Sequence, residues 1–368
     1  MARHNLDYIT IKGFKSIASL EKLSLSGINV IIGPNGSGKS NFIGAFSFLH
    51  AIREGRLEQY VATVGGAEKI LHFGSKVTKK VELSLSFRDE INKYSIALEP
   101  TQTDELFPAE EWVYFWDKAR YPTGGIGETI SRVGKEAGIS TAKVTGIASW
   151  VRSYLASWRV YHFHDTSSSS PMKKTADVED NRFFRPDGSN LPAFLNLLRS
   201  KHEISYNMIR RTVQHVTPFF DDFISEPSRL NPDKIRLEWR HKNSDHYFDA
   251  SSLSDGTLRF ICLATLFLQP KQYRPSVILV DEPELGLHPY AITMLGSLVK
   301  TVSEETQVIL STQSPLLLDQ FRPEHVLVAS REDGGTTLKR LDPSKLETWL
   351  SEYSLGQLWE KNELGGRP

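Results

Sequence analysis

Ile28-Asn29-Val30-Ile31-Ile32-Gly33-Pro34-Asn35-Gly36-Ser37-Gly38-Lys39-Ser40-Asn41 is the stretch that decides the fold. Its opening is a compact apolar run, as expected of a strand buried on both faces. Phe42 to Ile52, just beyond it, reads as a helix. The spacing Gly33-x-x-x-x-Gly38-Lys39-Ser40 therefore sits between a strand and a helix, the context that a phosphate loop requires. Glycines let successive backbone N–H groups converge on phosphate oxygens, and the helix N-terminus adds favourable dipole charge. In this reading Gly33, Pro34, Asn35, Gly36, Ser37, Gly38, Lys39, Ser40 and Asn41 cradle ATP. Lys39 reaches the β- and γ-phosphates and Ser40 ligates Mg²⁺. The bland alternative, a chance Gly-rich turn, is disfavoured by both flanks.

Three further segments carry chemistry. Val277-Ile278-Leu279-Val280 reads as a buried strand ending in Asp281-Glu282-Pro283. Asp281 would hold Mg²⁺, directly or through water, and Glu282 would activate the attacking water. An ordinary strand ending in an acidic turn is the competing reading, which the phosphate loop weakens. In Leu253-Ser254-Asp255-Gly256-Thr257 a Ser-x-Gly turn opens a helix, with Ser254 as cap. That makes either a second anion site or a plain capping motif. Ser311-Thr312-Gln313-Ser314-Pro315 ends the next strand, so Gln313 could orient water or sense the phosphate; a strand-end turn is the alternative.

Working outward, Leu6–Ile11 alternates like a half-buried strand. Val81–Phe87 and Tyr94–Leu98 read as a hairpin joined by Asp89–Asn92. From 101 to 249 the pattern loosens. Trp112–Trp116 and Val160–Phe163 are candidate strands, and Thr166–Asp180 reads as a mobile Ser-rich surface loop. Asn190 is a candidate cap for a helix running to about Lys201, and Ser205–Val216 for a second helix. Then Asp255–Gln269 and Pro289–Val302 read as helices, with Val277–Val280, Val308–Leu310 and Val326–Val328 as strands. Strands alternating with helices imply a mainly parallel α/β sheet. The expected organisation is one domain over 1–368: an N-terminal half (1–100), a largely helical insertion (101–249) and a C-terminal half (250–368), with an antiparallel β subdomain.

Composition narrows the class. The 44 Lys plus Arg balance the 44 Asp plus Glu, so global charge points to no nucleic-acid partner. The lone cysteine, Cys262, lies in an apolar run and reads as a buried structural thiol. The N-terminus is no signal peptide, and runs such as Phe260–Leu268 are too short to span a bilayer, so a cytoplasmic protein without membrane contact is expected.

The order of phosphate loop, Leu-Ser-Asp-Gly-Thr, Asp281-Glu282-Pro283-Glu284-Leu285-Gly286-Leu287-His288-Pro289 and Ser-Thr-Gln-Ser-Pro resembles the ABC-type ATPases of the RecF/SMC/OLD branch. More narrowly, it resembles the bacterial AAA family ATPases of the AAA_21 type. Gly13-Phe14-Lys15-Ser16-Ile17 matches that group, as does the tail from Leu355-Gly356-Gln357-Leu358-Trp359 to Gly365-Gly366-Arg367-Pro368. The resemblance implies a P-loop NTPase with an ABC-type head that binds ATP and Mg²⁺ and hydrolyses ATP. It implies an ATP-sandwich homodimer, in which Ser254, Asp255 and Gly256 of one subunit close over the ATP of the other. Glu284–His288 would be the seam loop. Gln313 stands where many ABC proteins have a switch histidine, and no Q-loop glutamine is identifiable; His72 lies in the region expected for it.

The leading function is then a regulatory or mechanical ATPase that controls a separate effector protein or a DNA transaction, in genome maintenance or anti-phage defence. A transporter's nucleotide-binding subunit and a non-hydrolysing scaffold are the alternatives. Ser254-Asp255-Gly256 in place of Ser-Gly-Gly-Gln argues against the first, and intact Lys39, Asp281 and Glu282 against the second. A metal site at Glu284 and His288 is disfavoured, because Gly286 and Pro289 break a common helix. His162 and His164 read as strand residues facing one side. The aromatics of Glu111–Tyr121 could stack on bases, with core packing the stronger expectation. No nuclease activity is expected: only residues 316–368 follow the Ser-Thr-Gln-Ser-Pro segment, and Asp221-Asp222 reads as solvated acids at a helix end or loop. The insertion and the Trp359 tail are the candidate docking surfaces.

Overall fold

The computed structural model describes residues 6–131, 134–141 and 145–365; the end of the expected tail motif, 366–368, lies outside them. Ile28–Ile32 is a strand near the middle of a six-stranded sheet. Gln307–Ser311 and Val326–Glu332 flank it in parallel. Val277–Asp281 and then Trp158–Tyr161 extend the parallel order on one side. Gly335–Arg340 closes the other edge, antiparallel. Every residue of Ile28–Ile32 and of Gln307–Ser311 is buried, as continuous apolar strands covered on both faces should be.

Alternation along these strands sorts their side chains into two cores. Val30, Ile32, Ile278, Val280, Val308 and Leu310 enter one, beneath helices Asp255–Leu268, Pro289–Ser303, Leu191–Lys201 and Glu203–Val216. Ile31, Val277, Leu279 and Ile309 enter the other. That second core is closed by helix Lys39–Glu54 and by a wholly antiparallel sheet. Its spatial order is Ile17–Ser24, Leu6–Phe14, Val81–Phe87, Asn92–Pro100, Leu106–Phe115 and Ile126–Thr129. The expected mainly parallel sheet and antiparallel β subdomain are both present. Cys262 is buried, with Sγ 3.3 Å from Met172 Sδ. Among the described residues no helix is long and apolar enough to cross a membrane.

Several local expectations change. The hairpin turn runs over Arg88, Asp89 and Glu90, all left-handed (φ 56, 56 and 65°), and Asn92 already belongs to the strand. The Asp7 carboxylate holds this turn by accepting the N–H groups of Asp89 (3.0 Å) and Glu90 (2.8 Å). Residues 101–249 are not one inserted block. Leu106–Phe115 and Ile126–Thr129 extend the antiparallel sheet to its edge, and Trp158–Tyr161 is the edge strand of the parallel one. A bulge opposite Ala97/Leu98 breaks the alternation that would have revealed the first. Thr166–Asp180 is tethered, since Ser170, Met172 and Ala176 are buried and Ala176–Asp177 pairs with Lys234–Ile235.

Asn190 precedes its helix but does not cap it with its side chain. Instead its Oδ1 accepts the Arg185 N–H (2.9 Å), and its Nδ2 donates to the carbonyls of Asp180 and Phe183 (2.8 Å each). Trp359 is buried in the first core, on a short helix packed against Pro315–Leu318, so the tail around it is structural. Trp112 and Tyr121 are exposed and do not fill the core.

Phe46 sits where helix Lys39–Glu54 meets both sheets, 5.5 Å from the Phe42 ring and 5.4 Å from Trp158. Phe46→Ala is expected to destabilise the fold by about 3–5 kcal/mol, read as a lower denaturation midpoint with an unchanged m-value.

Candidate active site

Parallel pairing brings the carboxyl ends of five strands to one edge. Asp281 pairs with Ser311 and Ser311 with Ile31, so the second acidic motif and the phosphate loop emerge level with each other. Ligand sites in open α/β sheets form at this edge, between strands whose connections leave in opposite directions.

The loop is braced from outside. Gly38, at φ 103°, forms the N-cap of helix Lys39–Glu54. A Cβ there would lie 2.0 Å from Thr336 Oγ1, so only glycine fits. Asn41 Nδ2 donates to Ser16 Oγ (2.7 Å), Ser16 Oγ pairs with Thr336 Oγ1 (2.7 Å), and Thr336 Oγ1 donates to the Ser37 carbonyl (2.8 Å). Gly13-Phe14-Lys15-Ser16 thus reaches the loop from the antiparallel sheet. His72 serves the same segment, with Nδ1 2.7 Å from the Lys15 carbonyl.

Lys39 Nζ donates to the carbonyls of Gly33 (2.8 Å) and Pro34 (3.0 Å). Burial lowers its pKa, while the nearby carboxylates of Glu282, Asp281 and Glu284 pull it upward. Ser311 Oγ donates to Asp281 Oδ1. Glu282 stands at φ 42°, a left-handed conformation rare for a residue with a side chain, and donates its N–H to the Ser311 carbonyl (3.0 Å). Gln313 Nε2 donates to Glu282 Oε1. Sequence reasoning placed Glu284 on a seam loop, yet it is buried here. Its Oε1 accepts Thr312 Oγ1 (2.7 Å) and the Gln313 N–H (2.9 Å). Burial raises its pKa, with Glu282 adding to the shift. The only signal for it was adjacency to the Asp281-Glu282 pair.

Ser254, Asp255 and Gly256 have different partners. Ser254 Oγ caps its helix by accepting the Thr257 N–H at 3.1 Å, and Asp255 pairs with Lys173 at 3.3 Å. A Cβ on Gly256 would lie 2.2 Å from the Gly286 carbonyl, so this helix rests directly on the Glu284–His288 loop. Arg259, unnoticed in the sequence, fastens the contact by donating to the carbonyls of Leu285, Phe163 (2.8 Å) and His164 (3.2 Å). His288 Nδ1 accepts the Tyr290 N–H at 3.3 Å, capping helix Pro289–Ser303. His162 and His164 share one side beyond strand Trp158–Tyr161, their rings 6.3 Å apart. Burial lowers the His162 pKa, and the Asp281 charge pulls it up.

Asp221 and Asp222 lie on strand Phe220–Ile224, not at a helix end or in a loop, and both are paired. Asp221 pairs with Arg240 at 2.7 Å, and Asp222 accepts the Tyr206 hydroxyl at 2.8 Å and pairs with Arg210 at 3.3 Å.

The Ser40 hydroxyl and the Asp281 carboxylate are hard oxygen donors of the kind Mg²⁺ takes, and the loop's N–H groups suit a triphosphate. A family model described as "AAA domain, putative AbiEii toxin, Type IV TA system" matches residues 28–319, and the chain belongs to this AAA_21 family. The chromosome partition protein Smc of Desulfitobacterium hafniense (strain Y51) is 41% identical over 136 residues, 35% of this chain and 11% of that protein. The Old nuclease of Escherichia phage P2 is 34% identical over 73 residues, 20% of this chain and 12% of that protein. The chain thus spans about a tenth of the length of these curated relatives.

A structure of the SmcHead bound to the C-winged helix domain of ScpA matches with TM-score 0.59 at 18% identity, over 92% of this chain and 99% of that one. An Smc head domain with an extended coiled coil, bound to the C-terminal domain of ScpA derived from Pyrococcus furiosus, matches with TM-score 0.57 at 16% identity, over 94% and 98%. The fold is that of an ABC-type P-loop ATPase head of the RecF/SMC/OLD branch.

Gly38→Ala would drive a methyl group into Thr336. It is expected to weaken ATP binding by at least an order of magnitude, and Gly38→Ala/Thr336→Ser should fail to restore it, because the hydroxyl oxygen is still there. Fluorescent-nucleotide titration of both variants reads this.

Proposed function

We propose that this chain hydrolyses Mg-ATP, and that ATP draws two copies together to control a separate effector protein or a nucleic-acid transaction, in genome maintenance or anti-phage defence within the cytoplasm. Residues 1–368 act as one ATPase domain in this reading. The observation that carries it is the Gln313 amide on the Glu282 carboxylate, at the strand edge that also presents Lys39 and Asp281.

The Gly33–Ser40 loop binds the phosphates through backbone N–H groups, and Lys39 turns from the loop carbonyls to the β- and γ-phosphate oxygens. Ser40 and Asp281 hold Mg²⁺, which when bound neutralises charge on those oxygens. Glu282 accepts the proton of the attacking water. Gln313 fixes that carboxylate and senses the γ-phosphate, and Glu284 anchors the Gln313 backbone. Ser254, Asp255 and Gly256 find their partners away from their own phosphate loop, which supports their service to the ATP of a second copy across an isologous interface.

Glu282→Gln is expected to retain ATP affinity while turnover falls by about 10²–10⁴-fold; wild-type turnover in this variant would show that the base lies elsewhere. Lys39→Ala should lose binding itself. Light scattering of Glu282→Gln should report a dimer with ATP and a monomer without it, and Ser254→Arg should return the ATP-bound sample to monomer. A monomer under saturating ATP would count against the sandwich.

A further inference from the structure

Away from this site, five basic side chains gather where helix Lys39–Glu54 packs against helix Ile147–Ala156 and strand Trp158–Tyr161. His50 and Arg53 are three apart on one face of the first helix, and Arg56 follows its end. Arg152 comes from the second helix and Arg159 from the strand. Their charges bear on each other. Burial, then Arg159, Arg56 and Arg53, push the His50 imidazole down to about 4. Burial, then Arg152 and Arg159, lower the Arg53 guanidinium. His50 is therefore neutral at physiological pH. Arginine has no such escape, because its guanidinium keeps its proton in proteins.

Little among the described residues balances this charge. Glu54 pairs with Arg53. Arg159 Nη1 donates to the carbonyls of Ala156 (2.5 Å) and Trp158 (2.7 Å) at the helix end. Three buried nitrogens, His50 Nδ1, Arg53 Nε and Arg152 Nε, have no hydrogen-bond partner among the described residues. Buried polar atoms are ordinarily partnered, and like charges in a partly desolvated place repel strongly. Unpartnered guanidinium nitrogens on Arg53 and Arg152, next to the neutral His50 and close enough to feel the Arg159 charge, thus mark a place suited to an anion from outside the chain.

We propose that Arg53, Arg152 and Arg159 form a binding site for a phosphoryl group, separate from the nucleotide site. A guanidinium presents paired N–H groups that match two phosphate oxygens, and a dianion offsets the mutual repulsion. The Phe183 ring lies over Arg159 at 5.1 Å and holds the plane of its guanidinium. The phosphate loop opens the 16-residue helix whose other end carries Arg53, so the two sites stand roughly 20 Å apart at 1.5 Å per residue. The natural source is either a free polyphosphate compound or the backbone of a nucleic acid, whose chemistry at this site is the same.

The test uses the full chain carrying Lys39→Ala, which removes the phosphate loop's own hold on anions. Pyrophosphate at constant ionic strength should raise its melting temperature saturably. Adding Arg152→Gln should weaken half-saturation by roughly tenfold or more, while the anion-free protein melts no lower than its parent, because a repelling charge has gone. Arg152→Lys, which keeps the charge without the fork, should respond between the two. No saturable shift in the parent, or an undiminished one in both Arg152→Gln and Arg53→Gln, overturns the site. A single-stranded oligonucleotide that competes with pyrophosphate assigns the source to nucleic acid; one that leaves the titration unchanged assigns it to a free compound.

Discussion

The register of three parallel strands is the constraint on which the rest depends. Ile31, Ser311 and Asp281 lie level across the sheet. One residue of slip would exchange the two faces of a strand, sending Ile278 and Val280 into the wrong core and turning Asp281 away from Ser311. Burial on both faces thus fixes the positions of the polar side chains at the strand ends.

At those ends, order comes from hydrogen bonds between groups that would otherwise repel or wander. Asp281, Glu282 and Glu284 crowd one edge. Each carboxylate is fastened to the Ser311–Gln313 segment: Asp281 by the Ser311 hydroxyl, Glu282 by the Gln313 amide, and Glu284 by Thr312 and the Gln313 N–H. The left-handed Glu282 backbone is held by donation to Ser311. Strain of this kind persists only where surroundings over-determine it.

The motifs were legible because each is local: a strand, a turn and a helix in sequence, with residue types set by phosphate and metal chemistry. Cys262 and the cap at Ser254 were legible for the same reason. What stayed hidden depends on partners distant in sequence. Glu284 read as part of a surface loop because its neighbours Leu285 and Gly286 carry no periodic signal, yet Thr312 buries it. Ser16 and Thr336 meet across 320 positions. Val160–Phe163 read as a candidate strand, two residues off from Trp158–Tyr161, but its place at the edge of the parallel sheet was hidden, because four residues are too few to show which faces are covered. The Trp359 tail read as a candidate docking surface, although the core takes Trp359 in. Asn190 has a capping residue's identity but serves loop carbonyls instead.

The chain of hydrogen bonds from Asn41 through Ser16 and Thr336 to Ser37 has a consequence for how the protein comes into being. The glycine loop and the Thr336 hydroxyl that braces it are 299 positions apart in sequence. Contacts of such separation form late, since long closures must precede them. While synthesis proceeds from the N-terminus, the nascent loop lacks the Thr336 brace until strand Gly335–Arg340 is made. A product truncated before Thr336 would therefore carry the motif without this brace and without the rigidity it gives the loop.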